Sequence, residues 1–214
     1  MKINTLLLFI GLISLPSIAQ NFGYFGRSNV SIGDESRKIS NQGTNGYDFT
    51  LGGGVGLETG LEYRPWNDIH FYGSIGYQYV TTTSIRKQES LPKSIGANFN
   101  RKYFTAGFNF ILIESTDSLR SVSWGFGLSH QIPGTFEYSN GYKDYTIDFK
   151  STTGIHLDFK YRWTIKNNIQ FETGFRIRKL ELESKSSGNL YDIDGTEINF
   201  GVVFTLPNHN PKGS

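Results

Sequence analysis

The chain of 214 residues contains no cysteine. That absence excludes a disulfide framework, a thiolate metal site and a cysteine nucleophile. A long apolar run is also missing: the stretch at 6–15 is shorter than the roughly 18 residues that a membrane-spanning helix needs. Charge of one sign is not in excess, because 21 basic and 19 acidic residues leave a net charge of +2. This balance gives no reason to expect nucleic acid as a partner.

The N-terminus predicts export. Lys2 precedes the mostly apolar stretch 6–15, which ends in Pro16-Ser17-Ile18-Ala19-Gln20. One positive charge, an apolar segment of about ten residues and a small-x-small ending are typical of a secretory signal peptide cleaved after Ala19. We therefore predict a signal peptide at 1–19, one folded domain at 20–206 and a short C-terminal tail at 207–214.

Most of the chain alternates between apolar and polar residues. In the segment Ile198–Leu206 every second residue is apolar, which predicts a β-strand with one greasy face. Similar segments, separated by polar connections rich in Gly, Asn, Asp and Ser, predict eight strands: 21–33, 49–64, 69–80, 101–113, 121–131, 147–163, 169–182 and 196–206. The apolar positions include Phe49 in the second segment, and Ile147 and Phe149 in the sixth.

Charged residues avoid the apolar positions in the middle of every strand. Lys102, His130, Lys179 and Glu181 do occupy apolar-parity positions, but all four lie at one end of their strands, next to long connections. The opposite parity carries Arg27 and Arg101 and a set for which we predict an interior polar network: Glu58, Glu62, Arg64, His70, His156, Asp158, Lys160, Arg162, Glu172, Arg176 and Arg178. In a narrow lumen, charges of both signs favour buried salt bridges over an ion path.

The connections alternate in length, with short ones near 65–68, 114–119 and 164–168 and long ones near 34–48, 81–100, 132–146 and 183–195. This alternation is typical of an all-β, eight-stranded antiparallel up-and-down transmembrane barrel with a polar interior, short periplasmic turns and four long extracellular loops. Trp66, Trp124 and Trp163 all lie near the short turns, which predicts an interfacial aromatic girdle. The competing fold is a soluble barrel of the lipocalin kind, with the two faces exchanged.

The last strand carries a local motif, Asn199-x-Gly201-x-x-Phe204-x-Leu206. It looks like the C-terminal assembly signal of outer-membrane barrels, and the mature chain resembles small outer-membrane β-barrel proteins of the OmpX/OmpA-barrel type. The resemblance implies location in the outer membrane of a Gram-negative bacterium and insertion by the outer-membrane assembly machinery. It implies no particular activity. The family signal often ends at an aromatic residue, whereas here the tail 207–214 follows.

The function expected from these features is a structural or surface-interaction role carried by the extracellular loops. The expected partners are outer-membrane lipid and lipopolysaccharide, and the expected state is a monomer without cofactor, metal or catalytic residues. A narrow solute or ion pore and a lipid A acyl hydrolase or transferase stay open as alternatives. Ser129 and His130 are the tempting catalytic pair, but neighbouring residues of a strand point to opposite faces. His70 and His156 share inward parity with acids, without a serine obviously beside them.

Asn140-Gly141 is a strong signal for a two-residue hairpin. Pairing Ser139 with Tyr142 would place Phe136 opposite Tyr145 on the lipid-facing parity, giving a protruding aromatic ribbon. Such a ribbon would offer loop 132–146 as a contact for a surface protein partner. Pro133-Gly134 interrupts the strand before it, and a bulge there would shift this register.

Overall fold

The computed structural model describes residues 22–32, 38–39, 46–66, 68–86, 90, 95–116, 119–139, 142–166, 168–192 and 195–205. The predicted signal peptide, the C-terminal tail and Leu206 lie outside this part of the chain. The strands are β1 (Phe22–Ile32), β2 (Lys38–Ile39), β3 (Tyr47–Tyr63), β4 (Ile69–Arg86), β5 (Ala97–Glu114), β6 (Arg120–Pro133), β7 (Phe136–Ser139), β8 (Asp144–Ile147), β9 (Thr152–Lys166), β10 (Ile169–Lys179), β11 (Glu181–Glu183), β12 (Leu190–Asp192) and β13 (Gly195–Thr205). Among the described residues, no helix has the length and apolar character needed to cross a membrane.

Eight of these strands form a closed antiparallel barrel in the order β1, β3, β4, β5, β6, β9, β10 and β13. Closure occurs at β1, which pairs with both β3 and β13: Arg27 lies opposite Glu58 on one side and opposite Gly201 on the other. A closed sheet satisfies its backbone hydrogen bonds internally and leaves no open edge in the wall. The predicted all-β, eight-stranded up-and-down barrel is confirmed.

The two faces of the wall have the predicted polarity. Phe200 and Leu157 point outward and are 44% and 38% exposed, whereas Glu58 and Arg176 point inward and are 2% and 0% exposed. A soluble barrel of the lipocalin kind would bury the first pair and expose the second. The outer face is therefore an apolar coat, and the lumen is filled with polar side chains.

Phe49 does not face outward, and the prediction for it is wrong. Its side chain is fully buried inside the loop end of the barrel. The pairing of β3 with β4 shifts between Leu51 and Gly54, where β3 carries an extra residue. Because side chains alternate with a period of two, one extra residue moves every earlier side chain of β3 to the opposite face.

Ile147 and Phe149 also differ from the prediction, because the sixth predicted strand is not continuous. β8 ends at Ile147 and β9 begins at Thr152. Phe149 forms only an isolated bridge with Ser184, and both apolar side chains are buried. The interruption lets the chain turn inward above the barrel wall instead of running straight along it.

The hairpin formed by β7 and β8 has another register than predicted. Phe136 pairs with Ile147 and Tyr138 with Tyr145, so the connection is longer than a two-residue turn. Both Phe136 and Tyr138 are buried, and the predicted exposed aromatic ribbon is wrong. The register differs because β6 ends at Pro133 and the chain then continues as a separate short strand, β7.

The loop side of the barrel is filled by an apolar group that we call the loop-side cluster. Its buried members are Ile39, Tyr47, Phe49, Val80, Phe99, Phe136, Tyr138, Ile147, Phe149, Leu180, Leu182 and Tyr191. They come from barrel strands that extend past the apolar coat and from short strands in the long connections. Above the coat the polarity of the wall is thus reversed, with apolar side chains inside.

Candidate functional site in the barrel interior and at the loop end

Arg176 on β10 is the centre of the interior network. Its guanidinium donates to both carboxylate oxygens of Asp158, at 2.6 and 3.1 Å, and to Glu58 at 2.8 and 3.4 Å. Glu58 also accepts a hydrogen bond from Ser74 at 2.7 Å. Asp158 lies 3.2 Å from the ammonium of Lys160. A fully buried guanidinium held by two carboxylates is the arrangement in which such charges are tolerated in a dry interior.

Nearer the short turns, Glu62 gathers three basic groups. Arg162 binds it through two parallel hydrogen bonds of 2.5 and 2.8 Å, Arg64 donates at 2.7 Å, and His70 Nδ1 lies 3.0 Å from the same carboxylate. Arg162 also donates to Glu172 at 2.5 Å. The carboxylate groups of the network are therefore shared between strands on opposite sides of the lumen.

Glu172 and Arg27 connect this turn-side group with the centre. Arg27 lies 2.6 Å from Glu172 and 3.3 Å from Glu58. Its guanidinium also sits 3.9 Å from the centre of the Phe25 ring. Phe25, Tyr72 and Val203 form a small apolar group in the lumen. Charged pairs and these side chains together fill the turn-side half of the barrel.

On the loop side of Arg176, Glu197 binds Arg178 at 2.8 Å and Arg101 at 3.0 Å. Arg101 also donates to the amide oxygen of Gln78. The loop-side cluster lies directly beyond this group. Glu197 was not among the predicted network residues, although its parity with Asn199 and Gly201 in the last strand was the available signal.

The hydroxyl of Tyr72 links His156 to Asp158 in the network. Tyr72 Oη donates to Asp158 at 2.9 Å and lies 2.5 Å from His156 Nε2. Lys160 donates to Asn109 at 3.0 Å. These hydrogen bonds satisfy part of the buried polar atoms of the group, while His156 Nδ1 and Asn109 Nδ2 have no hydrogen-bond partner among the described residues.

Ser129 and His130 lie on opposite faces, as alternation requires. Ser129 is fully buried and accepts a hydrogen bond from Gln131 at 2.6 Å. His130 is exposed on the outer face, with Nδ1 2.9 Å from the hydroxyl of Thr153. A nucleophile and its base must be within hydrogen-bond reach, and these two are not. Within the described part of the chain, no group of acidic and histidine side chains is arranged to hold a metal ion.

The three tryptophans lie on the outer face at the turn side. Trp66 stands in the turn after β3 and is 61% exposed. Trp124 stacks on Phe110 at 5.4 Å, and Trp163 packs against Phe171 at 4.3 Å. The indoles thus form part of one aromatic band, a position suited to a membrane–water boundary.

The residues of the assembly motif divide between the two faces. Asn199 and Gly201 point into the lumen, and Phe204 points outward. Gly201 lies against Arg27: a Cβ there would come within 2.6 Å of the arginine side chain. In this structure the motif glycine therefore makes room for a network residue.

Known proteins were compared with this chain in sequence and in structure. No protein-family model and no curated protein matches the sequence. The structure is similar to OprG from Pseudomonas aeruginosa (TM-score 0.63, 11% identity, 87% of this chain and 95% of that one). It is also similar to Neisserial surface protein A (0.54, 15%, 87% and 97%) and to a major outer membrane protein from Thermus thermophilus (0.50, 9%, 86% and 98%).

At these identities the likeness concerns the fold. The chain has the fold of the small eight-stranded outer-membrane β-barrel proteins, and the resemblance seen in its sequence is confirmed at that level.

Proposed function

We propose that this protein is an integral outer-membrane barrel with a closed lumen, and that its role is a surface interaction carried by the loop side. The observation that carries the proposal is the loop-side cluster. All four long connections contribute to it or pack against it, through Ile39, Ile95, Tyr138 and Tyr191. The described parts of these connections share one apolar core, and segments positioned by a rigid barrel are suited to binding.

The apolar coat supports the membrane location. Outward side chains in the middle of the strands are uncharged and mostly apolar, with the hydroxyls of Ser28, Thr59 and Thr173 among them, and the charged exceptions Lys102, His130, Lys179 and Glu181 are exposed at the loop end. Charged groups on a lipid-facing wall are costly at the bilayer midplane and tolerated at its boundary. The coat therefore has the polarity that a bilayer requires.

The side chains that fill the interior support a closed barrel rather than a pore. Ion pairs cross the lumen from Glu62 to Arg162 and from Glu58 to Arg176, and the loop-side cluster fills the end beyond Arg101. An eight-stranded barrel is only wide enough for its own side chains. In planar lipid bilayers we expect no steady channels; stable unitary currents from the purified protein would contradict the closed lumen.

The separation of Ser129 from His130 supports a non-catalytic role. The lipid A of cells with and without the protein gives the test by mass spectrometry. We expect identical acylation patterns, and a change in acyl-chain number that depends on the protein would replace the proposal with a lipid-modifying activity.

Location and orientation are tested by labelling single cysteines, which the cysteine-free chain allows. Ser187 is exposed on the loop side and Asp68 is exposed in a turn. On intact cells, a membrane-impermeant maleimide is expected to label Ser187→Cys and to label Asp68→Cys only after the outer membrane is permeabilised. The reverse order, or equal labelling of both, would overturn the proposed orientation.

A further inference from the structure

The part of the barrel beyond the apolar coat, which surrounds the loop-side cluster, is called the loop-side lobe. Its outward face carries a row of polar side chains across four strands. In the sheet register, Thr81 on β4 is opposite Asn98 on β5, Asn98 is opposite Glu137 on β7, and Glu137 is opposite Thr146 on β8. Directly opposed side chains of a sheet have Cβ atoms about 5 Å apart. All four side chains are exposed, so a hydroxyl, an amide, a carboxylate and a second hydroxyl stand in line.

Aromatic rings stand beside this row. Tyr79 is 40% exposed, and its hydroxyl donates to Asn98 Oδ1 at 3.1 Å. This hydrogen bond orients the amide and directs its NH₂ group away from the tyrosine hydroxyl. On the far side, Tyr145 stacks against the buried Tyr138 at 5.0 Å. The stacked pair gives the second rim a fixed position.

The row and the rings line a cavity of about 760 Å³. Gly96 also lines the cavity, and a Cβ added there would meet no atom within 4 Å. Ser139 and Asp144 extend the polar floor. Ligand pockets usually measure about 300–1,000 Å³, so the space accommodates a small ring-shaped ligand or part of a longer chain of rings.

We propose that this pocket binds a sugar ring of a glycan. Sugar hydroxyls donate to the carboxylates of Glu137 and Asp144 and exchange hydrogen bonds with the amide of Asn98. The apolar face of a sugar ring packs on an exposed aromatic ring such as Tyr79. The described lining holds two carboxylates and no basic side chain, and Lys143 Nζ lies 5.5 Å from the centre of the lining Tyr145 ring. This charge balance favours a neutral ligand over a phosphate or sulfate, which an excess of lysine or arginine would bind.

The height of the pocket above the apolar coat fits this ligand and rests on the proposed outer-membrane location. Lys102 marks the boundary of the coat and pairs with Tyr77, and the pair Thr81–Asn98 lies four residues further along β4. Four residues of a strand span about 13 Å, which for a strand tilted by about 35–45° is a rise of about 10 Å along the membrane normal and places the pocket at the outer edge of the lipid headgroups. Two glycan sources reach that level: the saccharide of the surrounding glycolipid and a glycan on another surface.

The experiment uses the purified full chain in nanodiscs and two sets of probes. One is the oligosaccharide released by mild acid from lipopolysaccharide of the producing strain, and the other is an array of defined mammalian glycans. Affinity for bound probes is then measured by saturation-transfer NMR and calorimetry. We expect binding in at least one arm, and the arm that binds identifies the source.

Two variants test the assignment of residues. Tyr79→Ala removes the stacking ring, and Glu137→Gln removes the negative charge. Each substitution should weaken binding about tenfold, because a stacked ring or a charge-assisted hydrogen bond contributes about a factor of ten to affinity. Glu181→Gln removes an exposed outer-face carboxylate outside the pocket and should leave affinity unchanged. Unaltered heat-modifiable mobility in electrophoresis shows that each variant has folded.

Three results would overturn the proposal: no binding to either probe set, equal affinity in all variants, or binding of spermidine in place of any sugar. The last would make the carboxylates a site for organic cations. Because these assays use purified protein, they are independent of the labelling that tests membrane orientation. A failure of either idea can therefore be told from a failure of the other.

Discussion

Replacing Arg176 by methionine removes the guanidinium that holds two buried carboxylates together. Its contacts to Asp158 are 2.6 and 3.1 Å and those to Glu58 are 2.8 and 3.4 Å, with no exposure of the arginine side chain. Removing one partner of a buried ion pair costs about 3–5 kcal/mol. Glu58 keeps Arg27 at 3.3 Å and Asp158 keeps Lys160 at 3.2 Å, so we expect the lower end, about 3 kcal/mol of unfolding free energy.

The assay is reversible unfolding by guanidinium chloride in lipid vesicles, followed by tryptophan fluorescence and by mobility of unheated samples. Arg64→Met is the matched control, because that arginine is partly exposed at the turn side and Glu62 keeps two hydrogen bonds from Arg162. We expect it to lose at most about 1 kcal/mol.

A second substitution tests the cause of the loss. In the double variant of Arg176→Met and Glu58→Gln, the remaining charges keep partners, since Arg27 retains Glu172 at 2.6 Å. The double variant should therefore recover at least about 1 kcal/mol relative to Arg176→Met. If Arg176→Met costs no more than Arg64→Met, or if the double variant is the less stable, the network does not stabilise the barrel as described.

Three further predictions concern the coat, the lumen and the lobe. Phe200→Arg, in the middle of β13 on the outer face, should lose about 2–4 kcal/mol of unfolding free energy in vesicles, whereas Ile132→Arg beside Lys102 should lose about 0–1; equal losses would contradict a bilayer-centred coat. Gly76→Ala places a Cβ in collision with the ring of Tyr103 and should cost about 1–3 kcal/mol, while Gly26→Ala meets no atom within 4 Å and should be nearly neutral. Phe49→Ala should make the loop-side lobe sensitive to trypsin, because the substitution leaves a cavity in the loop-side cluster that costs about 3–5 kcal/mol. The barrel itself should stay folded, so that unheated and heated samples still differ in electrophoretic mobility. Unchanged proteolysis would count against that cluster.

The barrel was predictable from the sequence because one rule applies to the whole wall within the apolar coat. Wherever apolar side chains lie outside and ion pairs lie inside, alternation assigns each side chain to a face. Phe200 and Glu58 followed that rule. The charges of the network could be collected by parity alone, but their partners could not, because pairing depends on which strands face each other across the lumen.

The same rule failed where the strands leave the apolar coat. There the surroundings are polar and the apolar side chains point inward, so an apolar residue no longer indicates the outer face. In β3 the chain makes the change with a bulge that turns Phe49 inward. In β4 the strand continues without a bulge, and the inward side chains themselves change from polar Gln78 to apolar Val80. Neither device has a distinct sequence signal. The aromatic ribbon predicted for 132–146 was wrong for another reason, because β6 ends at Pro133 and the short strands β7 and β8 pair in a different register.

The contact of alternate side chains with lipid is the central claim, and single cysteines along β13 test it most directly. Each position from Glu197 to Phe204 is replaced in turn, labelled with a fluorophore and measured in vesicles that contain brominated acyl chains. We predict strong quenching at 198, 200, 202 and 204 and weak quenching at 197, 199, 201 and 203. Quenching that does not alternate, or that alternates in the opposite phase, would contradict the account.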